Sequence, residues 1–172
     1  MQNFFSYRLQ VDRLPQQEQH YRLRADKEDC AKIREILKVP AVKSFSSDIN
    51  LKFNQKEHRI RLWGRVEAEL ELESVISLEL FDKKYETDFE LEYDTEATLK
   101  SQRQEEEELS IDDNIPDVVI NGTIDLADIS IEQIALIMED YPRKEGERFE
   151  FRSEFKEEEN RKNPFEVLKK LK

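Results

Sequence analysis

Three arginines and the only tryptophan of the chain stand at alternate positions: Arg59, Arg61, Trp63 and Arg65. In an extended strand successive side chains point to opposite faces, so these four share one face. A guanidinium pairs bidentately with phosphate, and an indole offers a stacking surface to an unpaired base. The chemistry this spacing suits is contact with single-stranded nucleic acid. Arg22 and Arg24 alternate in the same way on an earlier β-like segment and widen the patch if the two strands pair, while Lys52 and Lys56 lie just upstream. A plainer reading is a solvated sheet face whose arginines pair across strands with acids such as Glu90 and Glu92. An exposed tryptophan among arginines is what favours a ligand.

Other chemistries are hard to assemble. The three glycines, Gly64, Gly122 and Gly146, are too few and too scattered for a dinucleotide fingerprint or a P-loop. One cysteine, Cys30, excludes an intramolecular disulfide framework, and two histidines with one cysteine cannot form a four-ligand zinc site without carboxylates. His20 and His58 are isolated in sequence, and His58 falls on the apolar side of its strand. The acidic run Glu105–Asp113 lacks the glycine and regular Asp spacing of a calcium loop. No nucleophile elbow or zinc-protease motif occurs. The expectation is a protein with no catalytic residues, no metal, no cofactor and no small-molecule substrate.

The net charge of −12 is unevenly spread. Residues 1–94 carry −3, residues 95–142 carry −11, and residues 143–172 carry +2. Screening acts over about 8 Å in physiological salt, so an acidic loop need not cancel a basic face elsewhere. The first residues lack a basic region followed by a long apolar run, and no stretch approaches the roughly 20 apolar residues of a membrane span. A cytoplasmic protein without a membrane partner is expected.

The elements that must position the Arg–Trp row follow from periodicity. Ile60, Leu62, Val66, Ala68, Leu70 and Leu72 occupy the even positions of a strand running over 57–73, whose length predicts a bend and a bulge at Gly64. Thr87, Phe89, Leu91 and Tyr93 alternate with acids over 86–94, so an antiparallel meander with one wet face is expected. Residues 4–11 and 20–25 read as short β segments, and 118–120 as another. Asp26 caps a helix over 26–38, and Ser130 with Gln133 forms the capping box of a second helix that Pro142 ends. Asn163-Pro164-Phe165-Glu166 starts a short C-terminal helix, too short to persist alone, that must dock through Phe165, Leu168 and Leu171. The predicted fold is α+β: an antiparallel β-meander with one long bent strand, two main helices and that short C-terminal helix. Residues 1–142 form one domain with an acidic mobile loop at about 96–117, and 143–172 form a charged tail.

Particular strings then become informative together. Phe5-Ser6-Tyr7 leads to Val11-Asp12-Arg13-Leu14-Pro15. After the long strand comes Ser74-Val75-Ile76-Ser77-Leu78-Glu79-Leu80-Phe81. Further on stand Ile124-Asp125-Leu126, Asp140-Tyr141-Pro142-Arg143-Lys144 with Gly146, and Asn163-Pro164-Phe165 with Val167-Leu168. In order and spacing the chain resembles the YceD family, the large ribosomal RNA subunit accumulation proteins, and looks most like its alphaproteobacterial branch. Many members carry Cys-x-x-Cys-Leu-Glu-Pro-Phe where Ser74 to Phe81 stand here, so both cysteines are serine and the proline is Leu80. A metal or redox role for paired thiols cannot apply, although serine hydroxyls can cap a tight turn. The resemblance implies a non-enzymatic ribosome-assembly role with large-subunit ribosomal RNA or its precursor as partner. The alternative is an acidic adaptor that binds a basic ribosomal protein without touching RNA.

Overall fold

The computed structural model describes residues 5–96, 117–119 and 121–148. The acidic loop expected at about 96–117 falls almost wholly outside the described residues, as does the helix expected from Asn163 with Pro164 and Phe165.

Strand β1 (Arg8–Gln10) leads through a single 3-10 turn to β2 (Gln19–Arg24), α1 (Lys27–Leu37), β3 (Ala41–Asn54), β4 (Arg59–Glu73) and β5 (Leu80–Asp94). After β6 (Asp117–Val118) come β7 (Thr123–Asp125) and α2 (Leu126–Ile137). The main sheet has the order β2-β3-β4-β5-β6, antiparallel from β2 to β5, with β6 parallel to the end of β5. β1 and β7 form a separate antiparallel pair. The protein is therefore α+β, with a sheet whose two helices cover one face and whose other face meets water. Among the described residues, β6 covers β5 only at Tyr93 and Asp94, so most of that sheet edge is open.

The aliphatic row of β4 explains the fold. Ile60, Leu62, Val66 and Leu70 are fully buried, and they meet Ile49 and Leu51 of β3, Ile33 of α1, and Leu126 and Ile134 of α2 in one core. Each such side chain contributes about 1.5–3 kcal/mol on leaving water. α1 opens as its sequence predicts: the Asp26 side chain accepts from the Asp29 amide at 2.9 Å, and Asp29 reaches back to the Asp26 amide.

Four expectations are corrected. The 14 residues of β3 were not anticipated, and they lie between β2 and β4, so Arg22 and Arg24 flank the Arg–Trp row across an intervening strand. Gly64 is no bulge: it pairs in register with Ile49, and the register shift falls between Val42 and Ser44 of β3. A Cβ on Gly64 would lie 2.2 Å from the Asp48 carbonyl oxygen, so its lack of a side chain lets β3 and β4 approach. Ser130 is not a cap. α2 begins at Leu126, because Asp125 accepts from the amides of Ala127 and Asp128, and Ser130 is buried within the helix on the Leu126 carbonyl and the Ser47 hydroxyl. His58 is not in the strand but in the β3–β4 turn at φ 52°, with Nδ1 3.2 Å from Glu96.

Candidate nucleic-acid interface

The water-facing side of the sheet carries one side chain in two from each strand, and the register sets these in rows. One row reads Arg22, Asp48, Arg65, Asp88 from β2 to β5. The next reads His20, Asn50, Trp63, Glu90, and beyond it Lys52 lies beside Arg61 and Glu92, then Asn54 beside Arg59 and Asp94. On the other side, Arg24 leads through Ser46 to Glu67 and Glu86. The pleat of β4 thus brings Arg59, Arg61, Trp63 and Arg65 to one face, and β3 joins Arg22 and Arg24 to them.

Charge on this face is matched locally. Arg61 Nε lies 2.7 Å from Glu90, Arg65 Nε lies 2.7 Å from Asp88 with Glu86 at 2.7 Å, and Arg22 Nε lies 2.6 Å from Asp48. Arg59 stands 3.8 Å from both Glu92 and Asp94. The hydrogen bond from Arg22 holds the Asp48 carboxyl below the usual carboxylate range, and Arg65 does the same for Asp88. Among the described residues, Arg24 and Lys52 have no carboxylate within ion-pair distance. Trp63 is half-buried, and the Arg61 guanidinium carbon lies 5.5 Å from its ring centroid. The anticipated cross-strand pairing with Glu90 and Glu92 and the anticipated shared face are both present. Exposed ion pairs of this kind hold by only about 0–1 kcal/mol each, so a phosphate can displace the carboxylate.

The row changes sign partway along β4. Beyond Arg65 come Glu67, Glu69, Glu71 and Glu73, with Glu67 directly opposite Glu86 and Glu71 directly opposite Asp82. Like charges placed opposite each other are destabilising. The face therefore has a cationic end and an acidic end.

A second assembly unites residues far apart in sequence. The β4–β5 turn is tied by the Ser74 amide to the Glu79 carbonyl and the Leu78 amide to the Ser74 carbonyl, both at 2.9 Å, with Leu78 at φ 60°. The buried Ser74 hydroxyl accepts from the Ile76 amide at 3.1 Å and the Ser77 hydroxyl accepts from the Glu79 amide at 3.3 Å, the turn-capping role serine can fill. Both hydroxyls donate to the Glu147 carboxylate. Their donation holds that carboxyl below its ordinary range. Lys144 Nζ meets Glu79 at 3.0 Å, and the Val75 amide donates to the Pro142 carbonyl at 3.0 Å. Residues 141–147, with Tyr141 and Arg143 exposed, thus lie against the turn. Glu147 was the residue that sequence reasoning missed, since nothing local marks a contact 73 residues away.

Among the described residues, no group of three His, Cys, Asp or Glu side chains could hold a metal ion. No helix among them is long and apolar enough to cross a membrane. No curated protein and no solved structure matches the chain. A family model described as large ribosomal RNA subunit accumulation protein YceD matches residues 62–172. That match starts within the Arg–Trp strand, takes in the serine turn and the segment docked on it, and covers more than half of the sequence, so the chain belongs to the YceD family of large ribosomal RNA subunit accumulation proteins.

Proposed function

We propose that this protein is a non-enzymatic, cytoplasmic ribosome-assembly factor that supports accumulation or processing of large-subunit ribosomal RNA by binding it at the cationic end of the outer sheet face. The observation that carries this reading is the half-exposed Trp63 held between Arg61 and Arg65, with Arg22, Arg24 and Lys52 in adjoining rows. An unpaired base stacks on the indole, a contact worth about 1–3 kcal/mol. Phosphates take the guanidinium forks from Glu90 and Asp88. The family description supports ribosomal RNA as the polyanion.

Four phosphate contacts to single-stranded RNA give a log–log salt slope of about −3. The carboxylates that stay behind on β5 make it shallower than that. Trp63 is the only tryptophan, so its fluorescence reports on this face alone. Titration with large-subunit ribosomal RNA fragments should quench it, and in a binding assay that reads labelled RNA, Trp63→Ala with Arg61→Glu should weaken binding at least tenfold. A flat salt response, or undiminished binding by that double variant, overturns the reading.

The glutamate run Glu67 to Glu73, facing Asp82 and Glu86, favours a second reading: an acidic adaptor for a basic ribosomal protein. Pull-down after thorough nuclease treatment separates the two. Retention of ribosomal protein favours the adaptor, and its loss favours RNA.

A further inference from the structure

We propose that single-stranded RNA crosses the outer face over β2 and β3, with Arg24 and Lys52 holding phosphates at the two ends of the path and Asn50 pairing with the edge of the base stacked on Trp63. The path rests on the RNA-binding reading above and adds to it a direction, a length and a base contact. Most polar groups on this face are already engaged. Arg22 Nε is held by Asp48 at 2.6 Å, and His20 stands 3.6 Å from the same carboxylate. Arg59, Arg61 and Arg65 each have carboxylates of β5 beside them. Asn54 donates to Glu57. Among the described residues, that leaves Arg24, Asn50 and Lys52 as the cationic and amide side chains on the outward positions of β2, β3 and β4 with no hydrogen bond or ion pair of their own.

The three lie on one side of Trp63. Asn50 is directly opposite it in the β3–β4 register, with Cβ atoms about 4.5–5.5 Å apart. Arg24 pairs with Ser46 across β2 and β3, and from Ser46 to Lys52 the strand rises by roughly 20 Å. That span suits about four nucleotides of extended single strand, the low end of the site sizes of β platforms that bind such strands. The Arg61 guanidinium carbon lies 5.5 Å from the Trp63 ring centroid, so a base takes the other face of the ring. A primary amide offers both an N–H donor and a carbonyl acceptor, which the edge of an unpaired base complements. A phosphate at Arg24 or Lys52 displaces no carboxylate, whereas one at Arg22, Arg61 or Arg65 must. Asp48 lies between Ser46 and Asn50 on the path, but Arg22 already neutralises it. β5 is unsuited to the strand, because Asp82, Glu86, Asp88, Glu90 and Glu92 outnumber Lys84 on its outward positions.

The test is the fluorescence anisotropy of dye-labelled, unstructured RNA oligonucleotides, from dinucleotide to dodecanucleotide, titrated with the full chain. Affinity should rise steeply up to about four nucleotides and little beyond. Arg24→Ala and Lys52→Ala should each weaken binding severalfold and make the log–log salt slope shallower by about 0.7, one phosphate apiece. Asn50→Ala should also weaken binding severalfold but leave the slope unchanged, because the lost contact is to a base. Lys84→Ala, which removes a cation of β5 off the path, should bind as the parent does. Affinity that keeps climbing to the dodecanucleotide, a loss in Lys84→Ala equal to those on the path, or any of the three path variants binding as the parent does overturns the path while leaving RNA binding at Trp63 in place. A parent chain that binds none of the oligonucleotides overturns the RNA-binding reading itself.

Discussion

Gly64→Ala tests the packing of the sheet with a change of one methyl. Gly64 is not in the left-handed region, so alanine can adopt its backbone conformation. On backbone grounds alone the substitution should stabilise the protein by about 0.4–1 kcal/mol, because alanine restricts the unfolded chain. The structure reverses this sign. The new Cβ would meet the Asp48 carbonyl oxygen at 2.2 Å and the Ile49 Cα at 2.9 Å, and both are main-chain atoms of β3 that no rotamer change can move aside. Relief requires β3 and β4 to part near the middle of their pairing. Overpacking of this kind costs about 1–3 kcal/mol, occasionally more, and a backbone clash belongs at the upper end, so about 3 kcal/mol is expected. For a chain of this size that corresponds to a melting temperature lower by roughly 6–12 °C. Urea unfolding followed by Trp63 fluorescence provides the free energy, since the reporter is the adjacent residue. Stability equal to or above the parent would refute the close-approach argument and leave Gly64 as an ordinary strand residue.

Three further outcomes follow from the same geometry. Asp125→Ala should cost roughly 2–3 kcal/mol in urea unfolding, because it removes the α2 cap and the acceptor for the Tyr7 amide at 2.8 Å. Burial pushes the Asp125 carboxyl up, but the Ser6 hydroxyl and the amides of Tyr7, Asp128 and Ala127 outweigh it and hold the carboxyl below its ordinary range. Its contribution is therefore complete above the unfolded value of about 3.9 and disappears as pH falls through that value toward the folded one; a flat acid limb in a pH–stability profile would contradict this. Ser74→Ala should destabilise by roughly 1–2 kcal/mol, since it deprives the Ile76 amide and the Glu147 carboxylate of a partner. Limited trypsin digestion should then cut faster after Arg143 and Lys144, and unchanged cutting would show that the turn does not hold that segment. Glu90→Gln should raise affinity for single-stranded RNA by up to about fivefold, because Arg61 no longer has to leave an ion pair worth at most about 1 kcal/mol; weaker binding would count against phosphate exchange.

Much of this arrangement was legible from residue order. The aliphatic row from Ile60 to Leu72 is dense enough to show both a strand and its buried face, and Asp26 with Asp29 marks a helix start on local grounds. β3 was not legible because its inward row includes Ser47, whose burial depends on a hydroxyl partner at Ser130, 83 residues away. The Ser130–Gln133 pattern fits a capping box, yet Asp125 five residues earlier captures the amides first. Gly64 reads as a bulge in one strand, and only the second strand shows that it permits a close approach. For the candidate interface, alternation placed the arginines on one face. Which carboxylate each one meets was set by the registers of β3 and β5 on either side.

The margin of β5 that the described residues leave unpaired has a consequence for how this protein behaves in concentrated solution. A long strand with free amides and carbonyls is a template on which a second copy can extend the sheet. Here Asp82, Glu86, Asp88, Glu90 and Glu92 outnumber Lys84 on its outward positions, so two such margins brought side by side are disfavoured at neutral pH even with Lys43, Arg61 and Arg65 pairing some of these carboxylates from the neighbouring strands. The safeguard is electrostatic rather than steric. Acidification toward the carboxylate range, or molar salt, should therefore convert a well-behaved solution into one that seeds β-rich fibres, whereas a lysine substituted at Glu90 in half of the molecules should promote pairing at neutral pH.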